Sequence, residues 1–232
     1  VSKIAERQHL IFDADDTLWE NNIYFDDAFA GFCEHLSHSA LSPDEIRAEL
    51  DQIEMANNKV HGYGALNFAR NLRQCYSHLC EREIAATDLD HVASLAHRIL
   101  ESPMEVIDGV AETLLELSQR HELTLFTKGA IQEQTAKIER SGLAPLFAHC
   151  AIVKEKNRDA YLELADVRGF QHNATWMIGN SPKSDVNPAL RAGMNAVHIP
   201  HERTWTLERE EIVPGDGTLL VISNIRELLR MF

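Results

Sequence analysis

Short apolar runs alternate with amphipathic stretches along most of this chain. The runs at 9–14, 123–127, 150–153, 175–178, 195–199 and 218–222 are each the length of one buried strand. Helical patterns with local stop signals lie between them. The stretch 131–141 ends at Gly142, placed as a left-handed cap, and 188–192 ends at Gly193 with Pro188 in its first turn. Strands separated by helices build a parallel sheet covered on both faces, so the pattern predicts an α/β core of five or six strands.

From about 21 to 101 the alternation stops, and only helical patterns are found. Ser42-Pro43-Asp44-Glu45 reads as a capping box with proline at the first helical position. Beyond Thr87, the residues Leu89, Val92, Ala96 and Ile99 recur on one helical face before Pro103 ends the pattern. The prediction is an all-helical domain over 21–104, inserted into an α/β core formed by 1–20 and 105–232.

The first strand runs directly into Asp13-Ala14-Asp15-Asp16-Thr17-Leu18-Trp19. In an open parallel sheet, ligands bind beyond the carboxyl ends of the strands, so three acids in four positions stand where chemistry is expected. Strand alternation would put Asp13 and Asp15 on one side. Two carboxylates ~4 Å apart repel by about 4 kcal/mol at an effective dielectric of 20, which calls for a cation or a shared proton. Oxygen ligands alone favour Mg²⁺. The bland alternative is a solvated acidic turn. An EF-hand loop fails, because Leu18 stands where that loop needs glycine.

Asp13, Asp15 and Thr17 match the DxDxT signature that opens the haloacid dehalogenase-like (HAD) hydrolases, and the resemblance continues at three later strand ends. Leu123 to Gly129 offers Thr127 as the second motif. Val153-Lys154-Glu155-Lys156 offers a lysine for the third, and Gly179-Asn180-Ser181-Pro182-Lys183-Ser184-Asp185 resembles GDxxxxD. The resemblance implies a Rossmann-like core, a helical cap over the site and Mg²⁺-dependent hydrolysis of a small phosphorylated metabolite through an aspartyl phosphate. On that reading Asp13 is the nucleophile and Asp15 the general acid and base. Thr127 and Lys156 hold the phosphoryl group, and Lys154 is the rival lysine. Mg²⁺ is expected on Asp13, Asp15 through its main-chain carbonyl, Asn180 and Asp185. Asn180 departs from the pattern, since an aspartate usually follows the glycine, and the neutral amide should weaken metal affinity. Substrate contacts are expected from Thr17, Lys128, Tyr63 and Gly64, the last two within the turn His61-Gly62-Tyr63-Gly64. Lys183 is a further source of positive potential near the fourth motif.

Family members that displace halide usually carry a non-acidic residue two positions after the nucleophile, so Asp15 argues for phosphate. Two other outcomes stay open, a phosphomutase of the same superfamily and a catalytically silent phosphate-binding protein. A signalling receiver does not fit, because its phosphorylated aspartate belongs at a later strand end.

Composition narrows the partners. The 232 residues include 22 Lys plus Arg against 36 Asp plus Glu, a formal charge of −14, which opposes nucleic acid or an anionic membrane as partner. The four cysteines form no CxxC pair, which fits reduced thiols in a cytoplasmic protein. No run of about 18 apolar residues occurs, and the first seven residues lack a signal-type apolar stretch. A monomer or homodimer is expected. His35 with His38, His198 with His201, and Trp205 read as ordinary surface or packing residues.

Overall fold

The computed structural model describes residues 4, 6–36 and 39–232, so His38 lies outside the described residues. Six strands form one parallel sheet: β1 (His9–Phe12), β2 (Glu122–Lys128), β3 (His149–Val153), β4 (Thr175–Gly179), β5 (Asn195–His198) and β6 (Leu219–Val221). Their order is β3-β2-β1-β4-β5-β6. The chain moves from β1 to one side through β2 and β3, then returns to β1's other side with β4. That reversal makes the carboxyl end of β1 the switch point where a crevice opens.

The six runs predicted from hydrophobicity are these six strands, and burial explains why they were visible. Leu10, Ile11 and Phe12 of β1 and all of β4 are buried, as strands covered on both faces must be. Alternation sorts their side chains between two layers. Leu10, Phe12, Leu123, Leu125 and Ile178 pack with Val110, Leu114 and Leu117 of α5 (Val110–Ser118) and with Leu228 and Phe232 near the chain end. Ile11, Phe126 and Met177 pack on the opposite face with Tyr161, Leu164 and Ala165 of α7 (Arg158–Arg168). The architecture is the expected Rossmann-like α/β core.

Two predicted boundaries shift. The first run, 9–14, ends as a strand at Phe12. The Asp13 amide still donates to Ile178 O at 2.9 Å, but the chain then turns, and Asp16 adopts a left-handed φ of 61°. The helix predicted from Pro188 begins its winding earlier. A wide helical turn over Pro182–Val186 leads straight into α8 (Asn187–Arg191). In that turn the Val186 amide reaches back to Ser181 O at 3.1 Å. A proline is tolerated so close behind because the bonding ladder is already irregular there. The helix α6 (Ile131–Ser141) ends as predicted, with Gly142 at φ 69°.

The chain divides into two compact units, Val1–Glu20 with Met104–Phe232, and Asn21–Pro103. The second unit contains α1 (Asn22–His35), α2 (Pro43–His61), α3 (Ala65–Leu79) and α4 (Ala86–His97). Ser42 and Glu45 exchange the two bonds of the capping box that starts α2. Phe32, Leu50, Leu72, Tyr76, Val92 and Ala96 share one core. Ile99 joins it from the short helical turn Arg98–Glu101 rather than from α4 itself. No helix among the described residues is long and apolar enough to cross a membrane.

Candidate active site

Three strand ends and one loop converge beyond the carboxyl edge of the sheet. Parallel register places them there: Phe12 lies beside Leu125 of β2 and Ile178 of β4, so Asp13, Thr127 and the loop after Gly179 leave the sheet side by side. The fourth contributor is the segment after β3.

Lys156 sits at the centre. Its side chain is 1% exposed, and Nζ lies 2.6 Å from Asp13 Oδ1, 2.5 Å from Asp185 Oδ1 and 3.0 Å from Phe126 O. Burial opposes the ammonium charge, but the carboxylates of Asp13 and Asp185 more than offset it, and the Lys156 pKa is raised. Asp185 is shifted upward by burial first and by Asp13 second, against the pull of Lys156. Lys154 is exposed, and the structure gives it no comparable place. Two residues apart on an extended chain, the two lysines would point the same way, so alternation could not separate them; β3 stops at Val153, and beyond it only Lys156 is buried.

Asp13 Oδ2 accepts from Thr17 Oγ1 at 2.9 Å, and the Asn180 amide donates to the same hydroxyl at 3.1 Å. Thr17, expected against substrate, thus ties the first motif to the fourth. Asn180 Nδ2 donates to Thr204 Oγ1 at 3.2 Å, while that hydroxyl donates its own proton to His201 O at 2.8 Å. The amide nitrogen is therefore committed to Thr204, and Oδ1 faces Thr17, 3.3 Å away. Gly179 is required by the fourth motif: a Cβ there would collide with the Asp185 carboxylate.

The predicted pairing of Asp13 with Asp15 takes a different form. The Asp15 carboxylate, 22% exposed, accepts from Trp19 Nε1 at 2.8 Å, Gln134 Nε2 at 2.9 Å and Lys137 Nζ at 3.1 Å to each oxygen. The two carboxylates thus engage different partners, because the chain has left the strand after Phe12 and period-two alternation no longer applies. The carboxylates that share a partner are Asp13 and Asp185. Thr127 is buried, with its hydroxyl 3.3 Å from Gln134 Oε1. Lys128 is matched by Glu208 at 2.5 Å and Ser184 at 2.9 Å, and Lys183 Nζ donates to Leu207 O at 2.8 Å. Tyr63 and Gly64 belong to the helical unit, where Gly64 caps the start of α3 with φ 115°.

Gln134, Lys137 and Glu208 were not singled out by the sequence. Gln134 and Lys137 share a face of α6 at three-residue spacing, but polar residues on a predicted helix carry no signal of what they will meet. The carboxylate of Glu208 lies in a loop turn that hydrophobic patterning does not reach. Burial disfavours its charge, yet Lys128 and Ser181 outweigh that and hold its pKa below the usual range. His201, read as an ordinary histidine, lies 3.5 Å from Glu20 and offers a ligand atom close to those of Glu20 and Asp16.

The residues present fit a hard divalent cation. The candidate donors are carboxylate, main-chain carbonyl and amide oxygens, and the buried Lys156 ammonium between Asp13 and Asp185 balances one of two negative charges. Asp185 Oδ1 is buried and receives no hydrogen bond of good geometry among the described residues, although Lys156 lies beside it.

Comparison with known proteins bears on the family and the fold. The family model of the haloacid dehalogenase-like hydrolases matches residues 8–193. No curated protein matches the chain. Among solved structures, a haloacid dehalogenase-like family hydrolase from Xanthomonas campestris is 30% identical, over 97% of this chain and 92% of that one, with TM-score 0.83. A HAD-hydrolase candidate from Bacillus subtilis bound to magnesium is 18% identical, covering 96% and 97%, with TM-score 0.65. The L-2-haloacid dehalogenase from Xanthobacter autotrophicus is 15% identical, covering 97% of each chain, with TM-score 0.63.

Proposed function

The chain belongs to the haloacid dehalogenase-like hydrolase family, and from that membership we propose that it is a Mg²⁺-dependent phosphatase of small phosphorylated metabolites. The observation that carries this reading is the Asp15 carboxylate, partly exposed and held by three donors two residues beyond Asp13. Displacing halide from carbon leaves no oxygen to protonate. Cleaving a phosphate ester does, so a positioned carboxyl at this place serves phosphate chemistry.

In the first step an Asp13 carboxylate oxygen attacks phosphorus, the bond to the ester oxygen breaks, and Asp15 gives that oxygen a proton. In the second, Asp15 takes a proton from water as the water attacks the same phosphorus, and the bond to Asp13 breaks to release inorganic phosphate. Splitting one hard displacement into two lowers each barrier. Thr17 and Lys156 fix the two Asp13 oxygens, and Lys156 supplies positive charge where negative charge gathers. Thr127 is assigned to the phosphoryl group, to which its hydroxyl would turn its proton from Gln134 Oε1 when substrate binds. Mg²⁺, held by Asp13, the Asp15 carbonyl, Asn180 and Asp185, would offset the charge of the phosphoryl group. Tyr63, Gly64 and Lys128 are assigned to the remainder of the substrate, and 21–104 to the cap.

The test is turnover of p-nitrophenyl phosphate with Mg²⁺ and with a chelator, in wild type and Asp13→Asn, beside halide release from 2-chloropropionate. Phosphate release that needs both Mg²⁺ and Asp13, with no halide release, supports the proposal. Undiminished turnover in Asp13→Asn, or halide release instead, refutes it. Net phosphate release from a metabolite panel separates hydrolysis from mutase action.

A further inference from the structure

Helix α6 carries two side chains that the reaction scheme does not use, and both end on Asp15. Gln134 is buried, and its amide spans two motif residues: Nε2 donates to Asp15 Oδ2 at 2.9 Å, and Oε1 accepts from Thr127 Oγ1 at 3.3 Å. One helical turn on, Lys137 lies 3.1 Å from both Asp15 oxygens and 3.7 Å from Glu133 Oε1. The backbone makes room for this bridge. Gly129, at φ 147°, begins the turn between β2 and α6, and a Cβ there would come within 3.0 Å of Gln134 Nε2. A buried primary amide costs stability unless both ends are bonded, and here each end is bonded to a motif residue.

We propose that Gln134 and Lys137 are positioning residues that aim the Asp15 carboxyl at the leaving-group oxygen, with Gln134 coupling that aim to Thr127. The inference rests on the phosphatase reading and deepens it. From the side of the first loop, Trp19 Nε1 donates to one Asp15 oxygen at 2.8 Å. The two α6 donors fix the carboxylate plane, since Lys137 touches both oxygens and Gln134 the one that Trp19 leaves. A misaimed acid harms those esters whose departing oxygen most needs a proton, because proton transfer in the transition state matters most for basic leaving groups.

The experiment measures kcat and KM for phenyl phosphate and p-nitrophenyl phosphate in wild type, Gln134→Ala, Lys137→Met and Lys137→Arg, with saturating Mg²⁺. The readout is the ratio of the two kcat values, which is independent of the fraction of correctly folded enzyme. Wild type should release phosphate from both esters. Gln134→Ala and Lys137→Met should lose about tenfold or more on phenyl phosphate but only a few-fold on p-nitrophenyl phosphate, with KM nearly unchanged. Lys137→Arg should recover most of the ratio. An unchanged ratio in both truncations, or a loss seen only in KM, overturns the positioning role and leaves the phosphatase reading intact. Wild type without phosphate release from either ester overturns both.

Discussion

Replacing Lys156 by methionine removes the one ammonium from between Asp13 and Asp185 while keeping most of the side-chain volume. At an effective dielectric of 20, the contacts of 2.6 and 2.5 Å each correspond to about 6 kcal/mol of attraction. Desolvation of the three charges and the repulsion between the two carboxylates consume part of that. Removing one member of such a buried group costs about 3–5 kcal/mol, and that loss is expected here in metal-free buffer at pH 7. The raised Lys156 pKa gives the sign: its stabilisation is fully present below the ordinary lysine range and is lost only as pH rises through the folded-state value. The cause can be isolated with Asp185→Asn, which removes one of the two carboxylates that Lys156 balances. Because the residues touch, the double variant Lys156→Met with Asp185→Asn should be more stable than the sum of the two single losses, by about 1–3 kcal/mol. Urea unfolding of the four proteins in chelator measures this directly. Additivity within about 0.5 kcal/mol would show that Lys156 contributes packing rather than charge balance, and the argument would fall.

Three further outcomes follow from the same structure. Burial first, then Glu49, pushes the Cys75 thiol up to about 12, so native protein should resist iodoacetamide at Cys75 at pH 8 while the unfolded chain reacts; equal rates in the two states contradict this. His9, stacked on Phe170 at 4.3 Å, has its pKa lowered chiefly by burial. Its neutral form is the favoured one, so stability should fall as pH drops through the ordinary histidine value near 6.5, and less steeply in His9→Phe; identical slopes in denaturant titrations contradict it. Leu72→Ala should destabilise the helical unit by about 2–5 kcal/mol, since Leu72 is fully buried there, and a loss under 1 kcal/mol by thermal unfolding would mean that the site collapses without a cavity.

The sequence showed the sheet clearly because a strand buried on both faces, such as Leu10-Ile11-Phe12, has to be apolar throughout and short. It showed Asp13 because acids follow the first apolar run directly, and Asp185 only through the resemblance of 179–185 to GDxxxxD. It did not show where Asp15 turns. That depends on the chain leaving β1 after Phe12 and on donors from α6, 119 and 122 residues away in sequence. For the same reason alternation alone left Lys156 and Lys154 equivalent, and only the family spacing favoured Lys156, the one carried inward beyond the end of β3 at Val153. Glu208 is the extreme case: its partners Lys128 and Ser181 lie on two other segments, and only tertiary packing joins them.

Asn180 gains meaning from this charge count. With an aspartate at that position, a further acid would be buried at the site, and the Thr17 hydroxyl would stand between two carboxylates with one proton to give. With asparagine, the side-chain nitrogen donates to Thr204, and the main-chain amide donates to Thr17. The Thr17 proton is then free for Asp13 Oδ2, the oxygen that Lys156 does not hold. The amide therefore lowers the demand for a cation without breaking the link between the first and fourth motifs. Asn180→Asp should accordingly bind Mg²⁺ more tightly but fold less stably in chelator than wild type, because the added charge is buried and has no new donor. Isothermal titration with Mg²⁺ and urea unfolding of the same two proteins would decide it. Tighter binding with undiminished metal-free stability would show that the site was not short of positive charge.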